Sequence, residues 1–417
     1  MYAPVGTIAR TMHSFVLAVF GLVYLGMILG GLPLLQLDRT GIALLGAIAL
    51  IGGDALSVDA AARAVHLPTL ILLFSFMVLS AQMRLGGFYA WVTRGLAGLR
   101  VGPAGLLLAL ILVTAVLSAV FSNDVVCLAV APVLVAACRR RALNPLPFLL
   151  ALACSANIGS AASLIGNPQN MLIGQTLALS FGGYARATLA PVFAGLLLCW
   201  ALIAWRARGG WTAAGGAPVD AGDDEPLDRW QTLKGLLVAG AILLAYLCTD
   251  WPREIVALTG AGVLLTSRKF HSSRVLGLVD WELLVLFIGL FVVNAALMRT
   301  GLPARWVADA AAAGLPLDHA ATLFGASFVL SNIVSNVPAV MLLLPVAGTH
   351  PLGGPLLALS STLAGNLFIV GSIANIIVVD AAARAGVAID WRRHAAVGVP
   401  VTLATLAVAA GWLWLRG

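Results

Sequence analysis

Apolar runs near or above about 18 residues recur along the whole chain, and each run of that length is a candidate transmembrane helix. Some of these runs are interrupted by short polar, helix-breaking clusters. In the first half the pattern predicts helices near 13–35, 41–55 and 67–84. Two shorter limbs, 103–121 and 125–138, then flank Phe121-Ser122-Asn123-Asp124 and predict a re-entrant hairpin over 103–138. A helix over 146–174 is broken at Gly166-Asn167-Pro168, because Pro168 removes a backbone donor and restricts the residue before it. A last span covers 186–205. The second half predicts 232–248, 254–267 and 281–298, then a hairpin over 320–347 with its tip between Ser331 and Pro338. A broken helix over 353–380 and a span over 395–415 follow.

The two halves carry the same plan. Thr40-Gly41 resembles Thr259-Gly260, and Met83-Arg84-Leu85-Gly86 with Trp91-Val92 resembles Met298-Arg299-Thr300-Gly301 with Trp306-Val307. Ser122-Asn123 matches Ser331-Asn332, and Asn157 lies as far beyond its Ser-Asn as Asn366 beyond its own. An odd number of crossings per repeat, five spans plus a hairpin, turns the second copy upside down. The expectation is therefore an all-α polytopic membrane protein of two inverted repeats, residues 1–206 and 232–417, joined by a polar linker at 207–231. The first apolar run, Phe15 to Leu35, is long for a leader and lacks a small-residue cleavage site, so it is expected to be the first span.

Composition agrees with this pattern. The 417 residues are 61% hydrophobic and 10% charged, with a mean hydropathy of +1.01, where a soluble domain carries roughly a quarter charged residues. The net charge of +7 sits in short loops, so it marks cytoplasmic connections rather than a nucleic-acid surface. Arg139, Arg140 and Arg141 beside the first hairpin place its base in the cytoplasm, with the second hairpin's base and both termini outside. The five cysteines have no paired spacing and read as small buried hydrophobes. All six histidines are expected at span ends or in loops, which argues against a buried zinc site or a His-dependent intramembrane hydrolase. No cofactor, metal ligand or catalytic residue is expected.

Candidate chemistry lies in the interruptions. Irregular backbone at membrane depth is tolerated where it is buried in protein or lines a water-filled cavity, and paired interruptions at matching places point to a transporter binding site. The first repeat offers Ser122, Asn123, Asp124, Asn157, Asn167, Gln169 and Asn170. The second offers Ser331, Asn332, Ser335, Asn336, Asn366, Ser372 and Asn375. Asp124 reads as the single formal charge in the hairpins and broken helices, hence as a coupling site for a proton or cation.

At these residues the chain resembles the ion transporter superfamily, which includes arsenite permeases, citrate and dicarboxylate transporters and sodium/proton antiporters. The paired Ser-Asn hairpin tips are similar to those of its divalent-anion/sodium symporters. Asp124 and Ile333 stand where that branch usually has Thr. Asn123-Asp124 followed by Pro132 is similar to the arsenite-permease hairpin, which implies proton coupling. Gly166-Asn167-Pro168-Gln169-Asn170 resembles the signature of a bacterial anion-permease branch. The resemblance implies a scaffold and a moving transport domain, often dimeric. The expectation is a secondary active transporter in a bacterial inner membrane. It would move a small anion, oxyanion or arsenite-type solute coupled to protons or sodium. A sodium/proton antiporter is the alternative, and an intramembrane enzyme or a channel is less favoured.

Overall fold

The computed structural model describes residues 5–32, 36–212 and 226–416. The helices of the first half are α1 (Val5–Leu29), α2 (Arg39–Gly52), α3 (Val58–Ala64), α4 (Leu67–Leu85) and α5 (Phe88–Ala97). They continue as α6 (Pro103–Val120), α7 (Asn123–Arg140), α8 (Pro145–Ser160), α9 (Pro168–Thr176) and α10 (Phe181–Arg206). The second half begins α11 (Arg229–Cys248), α12 (Arg253–Leu265), α13 (Ser272–Leu276), α14 (Trp281–Arg299) and α15 (Leu302–Ala312). It ends with α16 (Ala320–Val334), α17 (Asn336–Ala347), α18 (Gly353–Ala364), α19 (Ile373–Arg384) and α20 (Trp391–Trp414). Among the described residues the order of long and short helices is thus repeated.

Packing follows the same exchange. Helix α2 lies against α14 as α12 lies against α4, α6 against α8 as α16 against α18, and α7 against α19 as α17 against α9. Helices α10 and α20, the last of each half, pack on one another. Among the described residues seven helices are long and apolar enough to cross a bilayer, and outward-facing positions expose Leu25, Leu189, Phe193, Leu237, Leu244 and Leu403. Exposed apolar faces of that extent suit lipid as the solvent.

Local chemistry sets the helix ends. Asp38, Ser180, Asp228, Asp280 and Asp390 accept hydrogen bonds from the first turns of α2, α10, α11, α14 and α20, satisfying donors that have no partner within the helix. Asp228 also meets Lys269 at 2.5 Å, and that hydrogen bond holds its carboxyl below the usual carboxylate range. Helix α1 ends at Leu29, short of the expected residue 35, because Gly30 turns into the left-handed region at φ 78°. The segment between the halves is described at its ends, where Leu143 bridges Thr212 and α11 begins at Arg229. The linker acids Asp220, Asp223, Asp224 and Glu225 fall outside the described residues.

Four short helices, α3, α5, α13 and α15, are additions to the sequence-based expectation. Each is too short to span, and α5 and α15 each follow a left-handed glycine, Gly87 at φ 71° and Gly301 at φ 70°. Gly301 therefore corresponds to Gly87, one residue beyond the Gly86 match expected from sequence. The Thr40-Gly41 match shifts as well, since these residues start α2 whereas Thr259-Gly260 lie in the middle of α12.

Candidate functional site

Asn157, near the end of α8, ties the two broken helices together. Its Nδ2 donates to Asn366 Oδ1 at 2.9 Å and to Asn375 Oδ1 at 3.1 Å. Its Oδ1 accepts from Ser372 Oγ at 2.8 Å and from Asn123 Nδ2 at 3.2 Å. An amide has two donors and two acceptor lone pairs, so every valence of this side chain is used. Thr362 of α18 does the reciprocal work: its Oγ1 accepts from Asn167 Nδ2 at 3.2 Å and donates to Asn170 Oδ1 at 3.4 Å. Gln169 Nε2 donates to the same hydroxyl at 3.3 Å.

The two breaks are the same structure. Asn170 Nδ2 donates to Ser160 O and Ser163 O, and Asn375 Nδ2 donates to Gly365 O and Phe368 O. Asn167 and Ser372 open α9 and α19 in extended conformations. Each of these pairs, together with Gly166 and Gly371, and Asn157 and Thr362, is separated by 205 positions. Asn157 thus corresponds to Thr362 and not to Asn366. Two further side chains meet buried carbonyls at the breaks, Tyr184 on Ala161 O at 2.9 Å and His394 on Asn366 O at 3.1 Å. Thr362, Ser160, Tyr184 and His394 are absent from the sequence-based candidates. His394 lies at a span end as expected, in the first turn of α20, but it is buried on the break. The signal for Thr362 is the 205-position step.

The hairpin tips, in contrast, differ. In the first, Asn123 N donates to Gly166 O at 3.2 Å, and the Asn123 side chain reaches Asn157. That tip is docked on its own repeat's break. In the second half α16 runs on through Ser331-Asn332 and ends at Val334, so the tip is Ser335-Asn336. Pro132 inside α7 and Pro345 inside α17 share the step of 213 positions that pairs Ser122 with Ser335 and Asn123 with Asn336. The matching of Ser122-Asn123 to Ser331-Asn332 is therefore corrected. Ser331 is the counterpart of Ser118, both buried in the first limb of a hairpin with hydroxyls that have no partner among the described residues. Ser335 stands at φ 79°, ψ 159°, a region reserved for glycine, whereas Ser122 is relaxed at φ −58°. Among the described residues no bond from Ser331, Asn332, Ser335 or Asn336 reaches either break; Asn332 Nδ2 returns to Phe328 O of its own helix.

Asp124 follows the docked tip in the first turn of α7, half-buried, with no hydrogen bond or ion pair among the described residues. It is not the single charge of these elements. Asp380, at the far end of the second broken helix, is exposed and paired with Arg384 at 2.7 Å. Asp124 remains the charge beside the polar cluster. Of the cysteines, Cys127, Cys138, Cys154 and Cys199 are buried as expected, and Cys248 is exposed.

The hydrogen bonds fix which amide atoms are left over. Asn375 must present Nδ2 to two carbonyls, so its Oδ1 faces Asn157; this orients Asn157, which in turn orients Asn123. Among the described residues, the candidate amides so oriented leave Asn123 Oδ1, Asn332 Oδ1 and Asn366 Nδ2 buried without a partner, and the Asn336 amide makes no side-chain hydrogen bond. Acceptors outnumber donors in this set. A buried polar atom left unmade costs about 1–3 kcal/mol, so such atoms mark where a solute gains most.

Several known proteins are similar to this chain. A citrate-transporter family model (CitMHS) matches residues 15–356. A 46 kDa membrane protein of Mycobacterium leprae is 30% identical over 367 residues, covering 83% of this chain and 86% of its own. The silicon efflux transporter LSI3 of Oryza sativa is 30% identical over 471 aligned residues, covering 93% and 95% of the two chains. The solved YdaH transporter of Alcanivorax borkumensis shares the fold at a TM-score of 0.60 and 15% identity, with 98% of each chain covered. With its two reciprocal broken helices and a family match over most of its length, the chain is a multi-pass membrane transporter and belongs to the citrate-transporter (CitMHS) family.

Proposed function

We propose that this transporter is a secondary active carrier of a small hydroxylated solute. The solute would be a neutral arsenite-type acid, or an oxyanion that enters together with a cation, moved by alternating access across a bacterial inner membrane. The observation that carries the reading is the unequal state of two equivalent hairpins. One is docked on its break through Asn123, while the other is held off at a strained Ser335. Exchange of these two states between the halves would open the site first to one side and then to the other. Inversion of the repeats, which the odd number of crossings requires, puts the two openings on opposite faces.

The leftover atoms favour the protonated or cation-accompanied solute. Asn123 Oδ1 and Asn332 Oδ1 attract hydroxyl hydrogens or a cation and Asn366 Nδ2 a hydroxyl oxygen, a mixed set that suits a hydroxylated solute better than a bare polyanion. No arginine or lysine belongs to the cluster, and a desolvated polyanion without a partner is costly. The names of the silicon efflux transporter and of the putative transporter arsB of Dictyostelium discoideum, 29% identical over 164 residues, accord with a hydroxylated weak acid. Asp124 is the proton or sodium coupling site in this reading, and we assign no catalytic role to the cluster.

Purified protein in proteoliposomes should show saturable counterflow of arsenite, competed by silicic acid more strongly than by citrate. Citrate counterflow with no response to arsenite or silicic acid would reverse the solute assignment. Flux without counterflow would mean a channel, and sodium-driven proton movement without solute would favour the antiporter.

A further inference from the structure

The exchange symmetry fails again at the outer end of the second hairpin. Helices α10 and α20 run in step at 210 positions: Ser180 and Asp390 cap them, and Tyr184 and His394 each hold a carbonyl of a break. The alternation of buried and exposed positions along Pro191–Trp200 recurs along Val401–Ala410. On this step Trp200 corresponds to Ala410. The Trp200 indole Nε1 donates to Ala104 O at 2.9 Å, fastening α10 to the first limb of hairpin one. On the hairpin step of 213 positions, Leu107 and Leu112 correspond to Ala320 and Gly325.

Three large side chains of the first half are thus Ala, Ala and Gly in the second, and the space they would fill is open. A groove of about 850 Å³ runs between α16 and α20, lined by Ala320, Gly325, Ala410 and Gly411 among others. At Gly325 and Gly411 a Cβ would meet no atom within 4 Å, so both positions face open space. One end carries Arg416, just past the end of the α20 span, and His350, in the turn between α17 and α18. Arg416 lies 5.0 Å over the Trp412 ring, and Trp414 beside it is 82% exposed, as an aromatic at the headgroup level would be. No acidic side chain lines the groove.

We propose that this groove is a lipid site: it takes an acyl chain of an anionic phospholipid, with Arg416 and His350 receiving the headgroup phosphate. An apolar channel in the lipid-facing surface with cationic and imidazole donors at its interfacial end matches that amphiphile along its length. The lipid replaces the Trp200 contact that ties hairpin one to α10, so it sets how firmly the second hairpin is held.

The test is native mass spectrometry of protein released from nanodiscs of mixed phosphatidylglycerol and phosphatidylcholine. Wild type should retain phosphatidylglycerol about fivefold over phosphatidylcholine, a ratio expected of one basic contact at the surface. Ala410→Trp, which copies the first half's plug, should lower retention to background. Gly411→Leu serves the same purpose should the tryptophan variant fail to fold, as judged by its melting temperature. Arg416→Gln should keep a bound lipid and lose the preference. Equal retention of both lipids by wild type, or undiminished retention by the filled variants, would overturn the proposal. Loss of self-association in Ala410→Trp with lipid retention unchanged would also overturn it, and would assign the groove to a second copy of the chain.

Discussion

Asn157 makes four side-chain hydrogen bonds, to partners in α7, α19 and the segment between α18 and α19, and its removal strands Asn375 Oδ1, Asn366 Oδ1, Asn123 Nδ2 and Ser372 Oγ at once. Asn157→Ala should therefore destabilise by about 2–3 kcal/mol, more than the roughly 0.6 kcal/mol average for a single interhelical bond in a membrane. Thr362→Ala, at the equivalent position, removes three bonds and should cost less. Melting of both variants in detergent checks the order, and equal losses would contradict the network. Asp124 makes no such bond among the described residues, so Asp124→Asn should leave melting unchanged. It should abolish proton- or sodium-driven uptake in proteoliposomes while leaving counterflow intact. Retained gradient-driven uptake would remove Asp124 from coupling.

At the scale of elements the two breaks and two hairpins share one design but differ in tolerance. A Cβ at Gly166 would lie 2.4 Å from Ser160 O and 2.7 Å from Ser118 O, backbone atoms that cannot yield. At Gly371 the closest approach is 3.1 Å, to Gly365 O. Gly166→Ala should prevent accumulation of folded protein, and Gly371→Ala should be tolerated; size-exclusion profiles of the two distinguish them. Ser335 sits where glycine belongs, so Ser335→Gly should raise stability by about 1–2 kcal/mol by removing that strain. A fall in its melting temperature would show that the hydroxyl, not the backbone, matters at this tip. The breaks were legible in sequence because Gly, Asn and Pro within an apolar run have few other uses. The alignment of the hairpins was not. Ser331-Asn332 looks like Ser122-Asn123 residue for residue, yet α16 continues through it, since nothing there stops a helix before Ser335.

For the whole molecule, exchange of the hairpin states is the central expectation. When the second hairpin docks, Asn336 should approach Gly371 O and Thr362 as Asn123 approaches Gly166 O and Asn157. In a cysteine-free background, an Asn336→Cys, Gly371→Cys pair should cross-link during turnover and arrest counterflow. The absence of any cross-link under either gradient direction would argue against this movement. Charge along the loops bears on the same scale: Arg139 donates to Ala385 O at the end of α19, and Arg141 to Ala97, Leu99 and Val101 carbonyls. These arginines tie the base of hairpin one to its neighbours.

By itself the sequence settled that the chain crosses a membrane many times, because apolar runs of spanning length admit no other solvent. It also marked where helices break and which repeat-like order they follow, since proline, glycine and asparagine act locally. Only the tertiary structure decided which residues are equivalent between the halves and which side chains hold the breaks. It alone revealed that one hairpin is docked and the other is not. Those outcomes depend on hydrogen bonds between residues far apart along the chain, such as Asn157 with Asn366 and Asn375, where distance in space is unrelated to likeness in sequence.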